Sequence, residues 1–323
     1  MMTKRVAAID CGTNSLRLLI ADIDVDAHQL SDVERRMEIV RLGQGVDATG
    51  MLAPAALERT LRALADYAAD IRAAGATAVR MVATSATRDA SNAADFTAGV
   101  QRTLGIAPEV ITGREEARLS FAGATAELAA AGDGPGLRPE SPYLVVDIGG
   151  GSTEFVLGGN EAIAGADPAA ISVDIGCVRL TERYLHADPP TQAQIDAASA
   201  DIDRALDDVA AAIAVKDARS LVGLAGSVTT VTAIALGLPT YDPSRTHHAR
   251  ISAAAVAAVT RQLLGQTHEQ RAAIGSLHPG RVDVIGAGSL VLDRVMRRFG
   301  FTEMVTSEHD ILDGIAWSIA AGV

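Results

Sequence analysis

The chain has 323 residues, 48% apolar and 21% charged, enough to bury the cores of two domains or one large one. Its net charge of −12 and its 3% aromatic content argue against binding nucleic acid or an anionic membrane, because the summed field repels phosphate and stacking platforms are scarce. The N-terminal "MMTKRVAAID" has no signal core, no run reaches a membrane-spanning length, and Cys11 and Cys177 lack metal-type spacing, so a cytoplasmic protein with reduced thiols is expected.

Residues 4 to 10 read as a strand ending at Asp10, residues 16 to 23 as a second and 36 to 42 as a third. "GVDATGMLAP" is turn-rich, and Pro54 opens a helix to about Ala74 with Leu57, Leu61, Leu64 and Ala68 on one face. A strand at 78 to 84 follows, then a helix from about Ser91, a strand at 108 to 112 and a helix from Arg114. This order belongs to α/β architecture. Residues 130 to 142, "AAGDGPGLRPESP", are the clearest linker. Beyond them come strands at "YLVVD", 154 to 158 and 169 to 174, and helices at 177 to 184 and 191 to 214. Residues 220 to 236 read as strand, glycine turn and helix. Helices at 252 to 265 and 281 to 298, a short strand near 303 to 305 and a terminal helix over "SEHDILDGIAWSIAA" complete the chain. The reading gives two domains, 1–130 and 131–323, with the helix of about 308–323 returning to the first.

The two parts begin alike. "VAAIDCGTNSLRLLI" (6–20) and "YLVVDIGGGSTEFVL" (143–157) share the turn Asp-x-Gly-x-x-Ser, with Asp147 over Asp10, Gly149 over Gly12, Ser152 over Ser15 and Glu154 over Arg17. A strand ending in glycine brings backbone N–H groups close to an anion. Gly12, Thr13, Asn14 and Ser15 form one such loop, and Gly149, Gly150, Gly151 and Ser152 another. "GLAGSVTT" supplies a third through Gly226 and Ser227, at a helix start that itself favours an anion. None is a Walker loop or a dinucleotide fingerprint. An acid beside a phosphate loop repels the ligand unless a cation intervenes, so Asp10 and Asp147 point to Mg²⁺ as cofactor. Glu154 points to the same metal or to its water. "PEVITGREEARL" places Glu115 and Glu116 in a first helical turn, and helical phase does not separate them. Arg17, Arg88, Arg114 and Arg179 are the candidate sources of local positive charge. Cys11 has no paired base, which argues against a covalent thiol role, and the pair His247 and His248 reads as a solvated loop.

Duplicated Asp-x-Gly-x-x-Ser hairpins with Gly-x-Ala-Gly-Ser resemble the actin, Hsp70 and sugar-kinase superfamily. Within it, "AIDCGTNSLRLLI", "VATSATRDA", "VITGREEARLSFAG", "VVDIGGGSTEFV", "DIGCVRLTERYL" and "GLAGSVTTVTAIALG" resemble the exopolyphosphatase / guanosine pentaphosphate phosphohydrolase family, in its short two-domain form. The resemblance implies two ribonuclease-H-like α/β domains with an interdomain cleft, and Mg²⁺-dependent hydrolysis of a terminal phosphoanhydride. It assigns Glu116 as catalytic base, Asp147, Gly149 and Glu154 to the surroundings of metal and water, Arg88 to phosphate, and "GTNS" to the opposite phosphate loop. The tail "TSEHDILDGIAW" departs from the family's Gly-Leu-Arg pattern and keeps only Gly314.

The expected reaction is attack of water on the terminal phosphorus of inorganic polyphosphate, releasing orthophosphate, with a lean to shorter chains. Phosphoryl transfer needs chiefly positioning and charge neutralisation. Guanosine pentaphosphate (pppGpp) is the alternative substrate. A kinase is disfavoured by the glutamate-activated water, and a non-catalytic polyphosphate or nucleotide sensor by retention of Glu116, Asp147 and Glu154. Homodimerisation is left open.

Overall fold

The computed structural model describes residues 3–27, 29–126, 139–159, 162 and 167–322. Most of the linker expected at 130–142 lies outside them. Two compact units emerge, one of Met1–Gly123 with Ile311–Val323 and one of Ala124–Asp310. Among the described residues no helix is long and apolar enough to cross a membrane.

In chain order the first unit holds β1 (Thr3–Cys11), β2 (Ser15–Asp24), β3 (Gln29–Ile39), α1 (Val46–Thr49), α2 (Pro54–Ala74), β4 (Ala78–Ala83), α3 (Ser85–Asp89), α4 (Ala93–Leu104), β5 (Glu109–Val110) and α5 (Gly113–Thr125). Its sheet runs β3-β2-β1-β4-β5, with β1 antiparallel to β2 and parallel to β4. The inner strands are buried on both faces, as a sheet covered by helices requires. Alternation sorts them. Ala7, Ile9, Leu16, Leu18 and Ile20 pack on one side against Leu64, Tyr67, Ile71 and Phe96 of α2 and α4, whereas Val6, Ala8, Leu19 and Ile23 face the other.

The second unit holds β6 (Tyr143–Ile148), β7 (Thr153–Gly158), β8 (Ala169–Val173), α6 (Cys177–Tyr184), α7 (Gln192–Ala212), β9 (Ser220–Leu224), α8 (Ala225–Ala235), α9 (Pro243–Thr246), β10 (Arg250–Ser252), α10 (Ala253–Gly265), α11 (His268–Ala272), α12 (Ile285–Phe299) and β11 (Glu303–Thr306). Its sheet runs β10-β11-β9-β6-β7-β8. Reading β8-β7-β6-β9-β11 against β3-β2-β1-β4-β5 gives the same order and the same mixture of antiparallel and parallel pairs, with β10 as an added edge. The duplication read from two hairpins extends to the two sheets, and the fold is a pair of ribonuclease-H-like α/β units.

The last helix, α13 (Ile311–Ala321), belongs to the first unit, where Ile311, Leu312, Ile315 and Ile319 cover the second face of its sheet. Its register depends on Gly314, where a Cβ would stand 2.0 Å from the Leu119 carbonyl oxygen. Asp313, 1% exposed, is gripped by Arg35 of β3 at 2.5 Å. Burial opposes the Arg35 charge, but the Asp313 and Asp32 carboxylates outweigh it and hold the guanidinium above its ordinary pKa. The helix starts at Ile311 rather than at Ser307, because Ser307 Oγ accepts from the His309 N–H and donates to its carbonyl, turning the chain before it coils.

Other boundaries moved for similar reasons. β3 ends at Ile39, not 42, because Val40, Arg41 and Gly43 turn their N–H groups onto the tip of the first hairpin. The short α3 was not anticipated, and β5 is two residues long.

Candidate active site

In the first unit the β1–β2 hairpin places Asp10 directly opposite Arg17. Arg17 donates from Nε and Nη2 to Asp10 Oδ2 at 2.9 and 2.7 Å, and Asp10 is 4% exposed. The tip is closed by Gly12 N–H to Ser15 O at 3.0 Å. Thr13 O accepts from Gly43 N–H at 2.8 Å, and Asn14 O from the N–H groups of Val40 and Arg41 at 3.1 and 2.8 Å. In a trans peptide the carbonyl and the next N–H point opposite ways. The Asn14 and Ser15 N–H groups therefore face away from residues 40–43. Thr13 Oγ1 lies 2.9 Å from Ser85 Oγ, both buried. A Cβ on Gly43 would come within 2.4 Å of Thr13 Cγ2, so the loop closes only on glycine.

Arg88, at the end of α3, donates from Nη1 to the Ile111 carbonyl at 2.9 Å and to Glu116 Oε2 at 3.3 Å. Glu116 is buried, at 8% exposure. Its neighbour Glu115 turns outward to Arg80 at 3.1 Å with its side chain 45% exposed. The tertiary partners thus separate two glutamates that helical phase leaves equivalent.

The second unit repeats the hairpin with different charges. Gly149 N–H meets Ser152 O at 3.0 Å, and Asp147 stands opposite Glu154 where the first hairpin has aspartate and arginine. Cross-strand partners share a face and lie close, and like charges there repel. Both are buried, Glu154 at 1% exposure, and Ser172 Oγ donates to Glu154 Oε1 at 2.7 Å.

The start of α6 holds the tip of this hairpin. Gly149 O accepts from Cys177 N–H at 2.9 Å, Gly150 O from Val178 at 2.8 Å and Arg179 at 3.2 Å, and Gly151 O from Gly176 at 3.3 Å. Arg179 Nε adds a bond to Gly151 O at 2.7 Å, so this arginine braces the loop. By the same trans-peptide geometry the N–H groups of Gly150, Gly151 and Ser152 all face away from α6, and consecutive N–H donors on one side of a loop can take an anion. The packing is so close that a Cβ on Gly176 would lie 2.3 Å from the backbone of Gly150.

Gly226 and Ser227 sit in the first turn of α8, whose orphan N–H groups favour an anion. Gly288 of α12 approaches Ser227 so closely that a Cβ would be 2.3 Å from its Oγ. Arg281, which sequence reasoning missed, reaches this turn, with Nη1 at 3.4 Å from Gly226 O and 3.5 Å from Thr230 Oγ1. Burial pushes the Cys177 thiol up, with Ser227 and Arg281 partly offsetting it. Burial and then the Asp10 charge push the Cys11 thiol up as well. Both thiols are therefore neutral, buried groups and poor nucleophiles.

The expected solvated pair His247 and His248 is half-buried. Their rings stack at 3.7 Å, and His309 stacks on His247 at 4.9 Å.

No cluster of three or more His, Cys, Asp or Glu side chains among the described residues could hold a metal ion by itself. A hard cation such as Mg²⁺ needs only one or two carboxylates, with water and substrate phosphate completing its shell. The donor chemistry of Asp147 with Glu154 fits that demand. Asp10 fits it less well, since its carboxylate already meets the Arg17 guanidinium.

A model of the Ppx/GppA phosphatase family matches residues 19–321. Exopolyphosphatase 2 of Mycobacterium tuberculosis is 49% identical over 331 aligned positions, covering 99% of this chain and 100% of that protein. Among solved structures, an exopolyphosphatase-like protein is 41% identical with a TM-score of 0.92, each chain covered in full. The Aquifex aeolicus PPX-GPPA enzyme is 31% identical with a TM-score of 0.79, covering 98% of this chain and 100% of that one.

Proposed function

Because the chain belongs to the Ppx/GppA phosphatase family, we propose that it is an exopolyphosphatase, removing orthophosphate from the end of inorganic polyphosphate. The observation that carries this reading is the Gly149–Ser152 tip. Its three carbonyls are held by the start of α6, its N–H groups face the other way, and two buried carboxylates stand on the strands that feed it.

Each group has a role that its surroundings support. The N–H groups of Gly150, Gly151 and Ser152 take the oxygens of a phosphoryl group, fixed dipoles that need no reorganisation as charge builds. The turn at Gly226 and Ser227 with Arg281 takes a further anionic oxygen. In the first unit the Asn14 and Ser15 N–H groups serve the same purpose. Glu116, oriented by Arg88, receives the proton of the attacking water. A new P–O bond forms from that water, the bridging P–O bond breaks, and the leaving polyphosphate is one unit shorter. Asp147 and Glu154 would hold Mg²⁺, which when bound supplies neutralising charge to the phosphoryl oxygens. A preference for shorter polyphosphates is part of the proposal.

The test is orthophosphate release from polyphosphates of defined length and, in parallel, from guanosine pentaphosphate, each with Mg²⁺ and with EDTA. Mg²⁺-dependent release from polyphosphate, fastest for short chains, is expected. Release from the nucleotide alone would move the activity to that substrate. Binding without release from either would make the chain a sensor.

A further inference from the structure

The two sheets correspond strand by strand, and the correspondence extends one position beyond the paired hairpins. In the second unit Asp147 stands opposite Glu154 and Glu154 opposite Ser172, a row across β6, β7 and β8. In the first unit the equivalent row is Asp10, Arg17 and Met37, across β1, β2 and β3. Residues directly opposite on neighbouring antiparallel strands share a face of the sheet and lie within reach of one another.

The second and third members of the row change together. Where the middle residue is arginine, it donates back to Asp10, and the third residue is a methionine, which has no hydrogen to donate. Where the middle residue is glutamate, the third is a serine, whose Oγ donates to Glu154 Oε1 at 2.7 Å. β8 reads Ala169, Ala170, Ile171, Ser172, Val173, so this hydroxyl is the single polar side chain of its strand. It is half-buried, and the glutamate it meets is 1% exposed. A hydrogen bond to an ionised group is roughly twice as strong as one between neutral groups. Glu154 has several rotamers, and repulsion from Asp147 favours those that turn it aside. The hydroxyl selects among them by fixing one carboxylate oxygen.

We propose that Ser172 is a positioning residue for Glu154. Its hydroxyl holds the Glu154 carboxylate in one orientation and so orders the pair of acids that would hold Mg²⁺. The inference rests on the metal-dependent phosphohydrolase reading above and adds to it a residue that touches neither metal nor substrate. Partners of this kind, one bond behind a metal ligand, typically carry about 10- to 100-fold in metal affinity or activity.

Ser172→Ala removes the donor, Ser172→Cys keeps the volume with a poorer donor, and Ser172→Thr keeps the hydroxyl. Each would be made alone and together with Glu154→Ala. Three measurements apply: thermal melting, binding of Mn²⁺ in the presence of orthophosphate by electron paramagnetic resonance, and the Mg²⁺ concentration for half-maximal orthophosphate release from tripolyphosphate. Because β8 is an edge strand, all three single variants should melt near wild type. Ser172→Ala should bind Mn²⁺ about 10- to 100-fold more weakly and need correspondingly more Mg²⁺. Ser172→Cys should fall between, and Ser172→Thr should recover most of the loss. Beside Glu154→Ala, the Ser172 changes should add little, since the group to be positioned is gone. Unchanged metal binding in Ser172→Ala and Ser172→Cys, or the same loss with and without Glu154, overturns this inference alone. A wild type that binds no Mn²⁺, or releases phosphate equally in EDTA, overturns the metal reading and the inference with it.

Discussion

The glycine before α6 offers the sharpest perturbation. In Gly176→Ala the new methyl would lie 2.3 Å from both the carbonyl carbon and oxygen of Gly150 and 2.4 Å from the carbonyl carbon of Gly151. These are backbone atoms, so no rotamer change relieves the clash, and one segment must retreat by roughly 1 Å, a displacement that in an active site costs about 100-fold. Overpacking of this kind costs about 1–3 kcal/mol. The retreat also stretches the bonds from Gly176, Cys177, Val178 and Arg179 to the tip carbonyls, each worth about 0.5–1.5 kcal/mol. A loss of about 2–4 kcal/mol lowers the melting temperature by about 4–16 °C at roughly 2–4 °C per kcal/mol. The assay is orthophosphate release together with thermal melting, with Gly265→Ala as control, since a Cβ there meets nothing within 4 Å. The control should match wild type in both measurements. If Gly176→Ala behaves like the control, the loop is not held by α6 as described and the anion-site argument fails.

Further outcomes follow from the same geometry. Glu116→Gln should reduce turnover by on the order of 10²–10⁴-fold while leaving calorimetric binding of polyphosphate near wild type, whereas Glu115→Gln should stay active. Equal losses in both would refute the assignment. Asp147→Asn and Glu154→Gln should raise the Mg²⁺ concentration for half-maximal activity by about 10-fold or more. Asp10→Asn should instead lower stability with little change in that concentration, and the reverse ranking would return the metal to Asp10. The raised thiol values set a pH dependence. Folded Cys11 and Cys177 stay protonated above the ordinary 9.0, while the unfolded thiols ionise there. Their contribution is therefore complete below pH 9.0 and declines as pH rises beyond it, by about 1.4 kcal/mol per unit for each thiol. Urea midpoints at pH 8 and 10 should converge when both cysteines become alanine. Rapid labelling of either thiol in the folded protein would contradict the burial argument.

Much of this was legible in the sequence because local chemistry determined it. α2 begins and ends where Pro54 and Gly75 punctuate the chain, and both hairpins announce themselves through Asp-x-Gly-x-x-Ser. What stayed hidden depends on partners far along the chain. Glu116 is told from Glu115 by its burial and its partner, Arg88 rather than Arg80. Gly43, Gly176 and Gly288 look like ordinary turn or helix glycines until another segment arrives within a methyl radius. Arg281 lies more than fifty residues beyond the turn it serves, and no periodicity connects them.

The two hairpins share a turn and differ in charge. Their turns close with the same bond at the same length, Gly12 to Ser15 and Gly149 to Ser152, both 3.0 Å. The difference sits one cross-strand pair below, where Arg17 answers Asp10 but Glu154 faces Asp147. A buried aspartate with a guanidinium opposite is neutralised by the protein itself, and its hairpin can present N–H groups to an anion without a cation. Two buried carboxylates opposite each other repel, and a cation bound beside them would relieve that repulsion. On the proposed reading the first hairpin needs no metal, and the second would share its anion with Mg²⁺. One substitution, at the position shared by Arg17 and Glu154, separates them.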